Sequence, residues 1–386
     1  MDTQLARTLI GSYVGSADLG EAIATAQRVP AGDYATWYSE WDRTATTAEH
    51  AAESAAQKGL TVLAARGYLR ASEYSRQSYF FLRQEPSDER VVRAYQRQRD
   101  LFQIAATYLP YSIEPISISF DPTPLNGYLY RPDATSDVPR PTILFPGGFD
   151  GTCEEMFKYG ALGALEQGWN AVTWDGPGQG GQLIEHGVTM RPDFEIVLGA
   201  VIDWCLEKPF VQGDGLVVIG RSLGGYLGPR GVSRNPRVRA LVADPGQFDF
   251  VSRFVDMFSA EDWEKVLTAD PTMDQQLEGF LADERARASY GSRMAAMGAK
   301  SFGGWLRLLV DYSLKNLAGQ ISCPTLITEG EGDFASQSRK LFDALNCEKQ
   351  YRNFSVAEGA GGHCEGMGQL LWQDTVFSWL VEQLKA

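Results

Sequence analysis

The sequence is poor in cysteine and histidine, and neither residue occurs in a pattern that suggests metal binding. Its 386 residues include five cysteines and three histidines. The cysteines form an odd set without a Cys-x-x-Cys pair, which argues against a disulfide framework or a zinc knuckle and predicts buried free thiols. We expect no metal and no cofactor, and few candidates for a general base. The cysteines are Cys153, Cys205, Cys323, Cys347 and Cys364, and the histidines are His50, His186 and His363.

The chain also lacks an excess of positive charge and a long apolar run. Its net charge of -14 at pH 7 argues against nucleic acid or an anionic membrane as a partner, because the electrostatic attraction has the wrong sign. No window reaches the apolar length that a membrane span requires, and residues 1–4 lack the pattern of a signal peptide. We therefore expect a cytoplasmic protein that acts on a small molecule.

Composition divides the chain near residue 110. Residues 1–110 are rich in alanine, carry aromatic residues at helical spacing and have almost no strand-like alternation, which predicts an N-terminal helical domain. In residues 111–386 short apolar strands alternate with helices, a pattern that predicts a mainly parallel sheet with helices on both faces. The alternation stops at about 248–318, where a polar helical insertion is expected to form a lid over the strand ends.

Individual elements of this α/β fold can be predicted from apolar periodicity. The first two strands show alternation typical of a strand pair, and helical segments separate most of the later ones. The predicted strands are 116–120, 125–130, 142–146, 169–174, 216–219, 238–243, 325–328 and 351–356. The predicted helices include 64–82, 91–109, 154–167, 193–206 and 367–384.

The most informative stretch is residues 217–225, where an apolar run leads into Gly-x-Ser-x-Gly and then into a helix-compatible segment. This pattern is typical of a nucleophile elbow, in which glycines allow a sharp turn that exposes the serine. Ser222 is therefore the candidate nucleophile. Because the chain contains 40 glycines, a plain glycine-rich turn is the alternative, and a base, an acid and oxyanion donors must support the assignment.

Several motifs together resemble the α/β-hydrolases over residues 111–386. The elbow is accompanied by an Asp-Gly-Pro-Gly-Gln-Gly turn at 175–180 and by an aspartate and a histidine downstream. A more particular resemblance is to the branch that contains 2,6-dihydroxypseudooxynicotine hydrolase and the fungal polyketide chain-shortening hydrolases of pigment pathways. It rests on residues 68–72, 147–152, 154–155 and 362–364. The resemblance implies hydrolysis of a carbon–carbon bond beside a ketone, and a homodimer.

A base and an acid follow the nucleophile in the order expected for this fold. His363 lies in a glycine-rich loop after the last predicted strand, from which an imidazole can reach Ser222. Asp333 follows the strand at 325–328, and the family pattern favours it as the acid that orients the histidine. Glu329 and Glu331 in the same turn are close alternatives.

Oxyanion donors are expected from two backbone positions. The amide of Leu223 follows the nucleophile directly, and the second donor should come from the loop after the strand at 142–146. In that loop Phe149 is the preferred donor and Gly148 is the second choice. The alternative is that this loop is a plain tight turn.

Substrate-binding residues are harder to identify from the sequence. Arg221 beside the nucleophile, Glu155 after the oxyanion loop and Trp263 in the predicted lid are candidates. Arg221 and Glu155 also fit a purely structural role in capping and ion pairing, because a carboxylate in the first turn of a helix is stabilised by the helix dipole.

These observations predict a cofactor-independent serine hydrolase for an apolar or aromatic small molecule. The resemblance points to an acyl-aromatic or β-diketone substrate, since a carbon leaving group requires a delocalised negative charge. The same residues could also serve an esterase, or an acyltransferase or cyclase of secondary metabolism. A ligand-binding protein without turnover is a further alternative.

Overall fold

A computed structural model describes residues 3–385 and begins with a helical region. These helices are α1 (Thr3–Leu9), α2 (Leu19–Gln27), α3 (Tyr34–Gln57), α4 (Thr61–Ser78) and α5 (Glu89–Ala106), with 3-10 turns at Ile10–Val14 and Phe80–Leu82. Asp33 begins α3 by accepting the N–H of Thr36, and Asp88 begins α5 by accepting the N–H of Arg90. The helical character that was predicted for this region is confirmed.

An eight-stranded sheet follows the helices. Its strands are β1 (Ser112–Ile118), β2 (Leu125–Arg131), β3 (Arg140–Pro146), β4 (Asn170–Trp174), β5 (Val211–Arg221), β6 (Ala240–Asp244), β7 (Thr325–Gly330) and β8 (Lys349–Phe354). Their spatial order is β1-β2-β4-β3-β5-β6-β7-β8. The pairings of β2 with β1 and with β4 are antiparallel, and the remaining five are parallel. The predicted, mainly parallel α/β fold is therefore confirmed.

Helices cover both faces of the sheet. Between the strands lie a π-helical turn at Phe157–Ala161, α6 (Leu162–Glu166), α7 (Gly180–Ile184), α8 (Phe194–Leu206) and α9 (Gly224–Val232). A helical insertion separates β6 from β7 and comprises α10 (Ser252–Val255), α11 (Ala260–Leu267), α12 (Pro271–Glu278), α13 (Glu284–Met297) and α14 (Phe302–Leu309). The chain ends with α15 (Ser338–Ala344) and α16 (Gln369–Lys385).

Alternate residues of the buried strands belong to two cores. In β3, Ile143 and Phe145 pack with the N-terminal helices and α16, whereas Leu144 packs with α8, α9 and the insertion. Side chains on successive strand residues point to opposite faces, so a strand buried on both faces must be apolar throughout. Residues of the N-terminal helices thus belong to the core on one face of the sheet, and residues of the insertion belong to the core on the other face.

Several elements differ from their predicted bounds, among them β5, which begins at Val211, five residues before the predicted start, and ends at Arg221. Strand β1 begins at Ser112, four residues before the predicted start, and it includes Pro115. Proline is tolerated there because β1 is an edge strand. The helix predicted over 154–167 begins only at Phe157, and the residues before it form turns in which Asp175 accepts the N–H of Cys153.

Within residues 3–385, no helix combines the length and the apolar character that crossing a bilayer requires.

Candidate active site

The turn between β5 and α9 holds Ser222 in a strained conformation. Its φ angle is 56°, in the left-handed region that costs a non-glycine residue roughly 1–3 kcal/mol. A Cβ on Gly220 would overlap the carbonyl oxygen of Gly224, and a Cβ on Gly224 would lie 2.7 Å from the carbonyl oxygen of Pro146. Glycine is therefore required at both positions, and the local geometry is that of a nucleophile elbow.

The structure brings Ser222, His363 and Asp333 into one hydrogen-bonded row. The Oγ of Ser222 lies 2.9 Å from Nε2 of His363, and Nδ1 of the same ring lies 2.9 Å from Oδ1 of Asp333. The carboxylate of Asp333 is fully buried, while 30% of the imidazole is exposed. The histidine is thus held from inside the protein and is partly open to solvent.

Hydrogen bonds keep Asp333 ionised despite its burial. Burial tends to raise the pKa of this carboxyl, but hydrogen bonding and charge interaction with His363 and N–H donation from Ala335 and Cys364 lower the pKa overall. An ionised carboxylate at this position fixes the orientation of the ring and can stabilise a protonated imidazole.

The two alternative acids are engaged elsewhere. Glu329 accepts hydrogen bonds from the hydroxyls of Ser336 and Tyr351, and Glu331 accepts the N–H of Val356 at 2.8 Å. Neither makes a hydrogen bond to the imidazole within residues 3–385.

The loop after β3 (residues 147–152, the β3 loop) lies beside the nucleophile. A Cβ on Gly148 would be 3.2 Å from Cβ of Ser222 and 3.6 Å from its Oγ. Within residues 3–385, the N–H groups of Gly148, Phe149 and Leu223 donate no hydrogen bond to the protein. The backbone N–H groups predicted as oxyanion donors are therefore not used by other contacts in the part of the chain that the structure describes.

Gln179 fixes the β3 loop, a role that the sequence did not indicate. Its Nε2 donates to the carbonyls of Gly147 and Gly148 at 2.7 and 2.9 Å, and its Oε1 accepts the N–H of Gly176 at 2.9 Å. The side chain is almost completely buried. The Asp-Gly-Pro-Gly-Gln-Gly turn therefore acts as a support for the β3 loop, and Gln179 is a positioning residue.

Asp175 in the same turn connects the β3 loop to the N-terminal helices. Its carboxylate accepts the N–H groups of Cys153 and Gly181, both at 2.8 Å, and the hydroxyl of Tyr95 on α5 at 2.9 Å. Burial and the nearby charge of Asp175 raise the pKa of Glu154 to about 7. A buried acidic pair thus lies behind the β3 loop.

Arg221 points into the protein, where it supports the histidine loop. It pairs with Asp244 at 2.7 Å and with Glu365 at 3.0 Å, and it donates to the carbonyl of Cys364 at 2.8 Å. Its guanidinium also lies 4.1 Å from the ring centre of Trp372. These contacts tie the nucleophile turn to the segment that follows His363.

Glu155 is likewise paired within the protein. It lies in a buried charge cluster at the junction of the N-terminal helices and the sheet, where it contacts Arg7, Lys158 at 3.1 Å and Arg76 at 3.4 Å. Those cations hold the pKa of Glu155 below its usual range against the effect of burial. Glu73 completes the cluster by pairing with Arg76 and Lys158.

Trp263 lies on α11 of the helical insertion and packs against Phe258, with ring centres 5.6 Å apart. Within the described chain it makes no hydrogen bond or ring contact with Ser222, His363 or Asp333. The sequence could place this tryptophan in the insertion but could not orient it.

A cavity of about 790 Å³ lies between the N-terminal helices and α13. It adjoins the β3 loop through Asp150 and Arg293. Its walls combine apolar, aromatic and charged residues, among them Tyr34, Trp37, Phe80, Phe81, Arg83 and Arg285. A flat molecule of moderate size can be accommodated there.

Comparisons with known proteins agree with this architecture. Residues 142–370 match a model described as the Alpha/beta hydrolase family, and residues 30–244 match one described as Esterase FrsA-like. The chain is 32% identical to Hydrolase LUC6 of Fusarium sp, over 96% of this chain and 93% of that protein. It is also 32% identical to 20-hydroxy-prefusarin hydrolase FUS2 of Gibberella moniliformis, over 94% and 91% of the two chains.

Among solved structures, 2,6-dihydroxy-pseudo-oxynicotine hydrolase matches with a TM-score of 0.77. The match covers 98% of this chain and 95% of the other at 21% identity, so it supports the fold alone. The resemblance that the sequence motifs suggested is confirmed. The chain therefore belongs to the α/β hydrolase family and is an enzyme of that family.

Proposed function

We propose that this enzyme is a serine hydrolase that cleaves a carbon–carbon bond next to a ketone through an acyl-enzyme on Ser222. The observation that carries the proposal is the hydrogen-bonded row, with Ser222 Oγ 2.9 Å from His363 Nε2 and His363 Nδ1 2.9 Å from Asp333. A base within this distance can remove the serine proton as the oxygen attacks a carbonyl carbon.

In the first half-reaction, Ser222 Oγ forms a bond to the ketone carbon while its proton passes to His363. The tetrahedral oxyanion is stabilised by the amides of Leu223 and Phe149, with Gly148 as the alternative second donor; one such donor is typically worth about 3–4 kcal/mol. The carbon–carbon bond then breaks, and the departing carbanion takes the proton from His363. An electron-withdrawing group on that carbon is required to delocalise its charge.

In the second half-reaction, His363 removes a proton from water, which attacks the acyl-enzyme. The acyl–oxygen bond breaks, and the proton returns from His363 to Ser222. The products are a carboxylic acid and a molecule with a new C–H bond, so one water is consumed in each cycle. Asp333 remains ionised and stabilises the imidazolium in both steps.

The substrate class is proposed as polyketide-like or acyl-aromatic. A relative over nearly the full chain is named 20-hydroxy-prefusarin hydrolase, and the cavity beside the β3 loop has aromatic walls. Enclosure by the N-terminal helices and the helical insertion would exclude bulk water from the reacting bond. Arg221 and Glu155 are assigned supporting roles here, because their ion pairs are with the protein itself.

Esterase activity is a second candidate, favoured by the Esterase FrsA-like match over residues 30–244. The two can be separated with benzoylacetone, a β-diketone, and 4-nitrophenyl butyrate, an ester, in water enriched in oxygen-18. We expect carboxylate product with one solvent oxygen from the diketone. Turnover of the ester alone would contradict the carbon–carbon proposal and favour the esterase.

The control for both substrates is Ser222→Ala, with circular dichroism to verify folding. We expect turnover to fall by at least about 10³-fold, because removal of a triad nucleophile leaves only binding and oxyanion stabilisation. Full activity of this variant would refute the nucleophile assignment. The homodimer implied by the sequence resemblance belongs to the same proposal, and sedimentation equilibrium would test it.

A further inference from the structure

Within residues 3–385, two arginines near the triad form no ion pair with a carboxylate. The first is Arg253 on α10, which is half-buried and donates to the carbonyl of Ala335 and to Oε1 of Gln247, the latter at 3.2 Å. Ala335 also donates its N–H to Asp333, and Gln247 donates to the carbonyl of Ser222. Arg253 is therefore linked to Asp333 through Ala335 and to Ser222 through Gln247, and both of its hydrogen-bond acceptors are neutral.

The second is Arg293 on α13, which is also half-buried. Its Nη1 donates to the carbonyl and the hydroxyl of Ser289 at 2.6 and 2.7 Å, and its guanidinium lies 5.7 Å from the ring centre of Phe149. Phe149 belongs to the β3 loop. Arg293 also lines the cavity between α13 and the N-terminal helices.

Other arginines in this region are neutralised by acids. Arg83, which lines the same cavity, pairs with Asp150 at 2.7 Å, and the buried Arg221 pairs with Asp244 at 2.7 Å. No carboxylate lies within 4.0 Å of Arg253 or Arg293 within residues 3–385. The charge of Arg293 does act on Asp150, and the charge of Asp333 acts on Arg253. Asp150 is already paired with Arg83, however, and Asp333 with His363, so within residues 3–385 neither arginine has an ion pair of its own. A partly desolvated cation without its own ion pair is unfavourable, and it is conspicuous in a protein with a net charge of -14.

The two guanidinium groups also interact electrostatically. Burial lowers the pKa of Arg253, the charge of Asp333 acts in the opposite direction, and the positive charge of Arg293 lowers the pKa further. Arg253 is placed on the Asp333 side of the triad by its hydrogen bond to Ala335, and Arg293 is placed on the β3-loop side by its contact with Phe149. A negative group placed between them would relieve their repulsion.

We propose that Arg253 and Arg293 bind a carboxylate of the substrate, so that the enzyme acts on acidic acyl compounds. This inference rests on the proposed function, because it concerns the substrate that Ser222 attacks. The aromatic walls of the cavity would hold the apolar part of such a molecule, and the two guanidinium groups would hold its charged end by charge-assisted hydrogen bonds.

The test is protection of Ser222 from a fluorophosphonate probe by 2-naphthoate, compared with the neutral 2-naphthamide. For the natural enzyme we expect half-protection at a naphthoate concentration about tenfold lower than for the amide, the size expected for one charge-assisted contact. In Arg253→Gln and in Arg293→Gln we expect this preference to fall to within about twofold.

Arg287→Gln is the matched control, since Arg287 is an exposed arginine on α13 whose guanidinium donates to the carbonyl of Ala282 at 3.4 Å. It should keep the full preference for naphthoate. Arg253→Lys retains the charge and should keep part of it, which a purely structural role of the guanidinium would not explain. Two independent arginine positions keep the test decisive if one variant fails to fold.

Equal protection by naphthoate and naphthamide in the natural enzyme would overturn the inference. A preference that survives in both folded glutamine variants would overturn it as well. Failure of the proposed function is distinguishable, because it would appear as absence of Ser222 labelling before any competitor is added.

Discussion

Replacement of Gln179 by leucine should impair catalysis more than its effect on stability would suggest. The leucine has a similar volume but removes the two hydrogen bonds to the carbonyls of Gly147 and Gly148 and the bond from the N–H of Gly176. All three partners lie at or beside the β3 loop. The substitution therefore perturbs the position of the proposed oxyanion donors without touching Ser222, His363 or Asp333.

The expected magnitudes follow from these contacts. Each buried polar group that loses its hydrogen-bond partner costs roughly 1–3 kcal/mol. Because the loop can relax and recover part of this cost, we expect the free energy of unfolding to fall by roughly 2–4 kcal/mol in total. Displacement of an oxyanion donor is expected to lower kcat by about 10²-fold. The stability loss reduces the amount of folded enzyme, whereas the kcat effect persists per folded molecule.

Gln182→Leu provides a matched control for this prediction. Gln182 is as deeply buried as Gln179, and it donates to the carbonyl of Pro124 and accepts from the hydroxyl of Thr123. It makes no hydrogen bond to the β3 loop within residues 3–385. We expect a comparable loss of stability but a kcat within about threefold of the natural enzyme.

The assay combines urea unfolding with turnover of 4-nitrophenyl butyrate, normalised to folded protein. The fluorophosphonate labelling rate of Ser222 gives a second readout that does not depend on the true substrate. If Gln179→Leu and Gln182→Leu reduce activity equally at equal folded fraction, the positioning role of Gln179 is wrong.

Three further predictions concern groups around the site. Arg221→Met should lower the free energy of unfolding by roughly 3 kcal/mol in urea titrations, because Asp244 and Glu365 lose a buried partner; an unchanged midpoint would contradict this. Burial raises the pKa of Glu154 from its usual value of 4.5 to about 7. Between these two pH values the folded protein therefore keeps a proton on Glu154 that the unfolded chain releases. Stability should therefore fall by roughly 2 kcal/mol between pH 5 and pH 8, and Glu154→Gln should flatten this dependence. Gly148→Ala places a Cβ 3.2 Å from the Cβ of Ser222, the proposed nucleophile, and should lower kcat by about tenfold, with unfolding little changed. Activity equal to that of the natural enzyme would argue against close approach of this loop.

The sequence was sufficient to predict which strands carry the candidate site. Ser222, Asp333 and His363 follow β5, β7 and β8, and the carboxyl ends of parallel strands meet at one edge of the sheet. A correct strand pattern therefore places Asp333 and His363 beside Ser222, although they lie 111 and 141 positions after it in the chain. The hydrogen bonds of His363 to both residues agree with this placement. Their catalytic roles remain predictions until the chemistry is measured.

Contacts between separate elements could not be predicted in the same way. The partners of Glu155 include Arg7, 148 positions earlier, and no periodicity relates the two. Arg253 and Arg293 lie on different helices of a polar insertion whose packing is decided by scattered aromatic residues. The role of Gln179 could not be predicted from its position in a glycine-rich turn. Its partners are backbone carbonyls, which every residue has, so no sequence pattern identifies them.

The most direct test of the central claim is to label the intact protein with a fluorophosphonate and to identify the modified peptide by mass spectrometry, with Ser222→Ala as control. We expect modification of Ser222 alone, and none in the variant, because an activated serine beside a histidine and an oxyanion hole reacts with this probe. Modification of another residue, or an unlabelled Ser222 in folded protein, would contradict the assignment of Ser222 as the nucleophile.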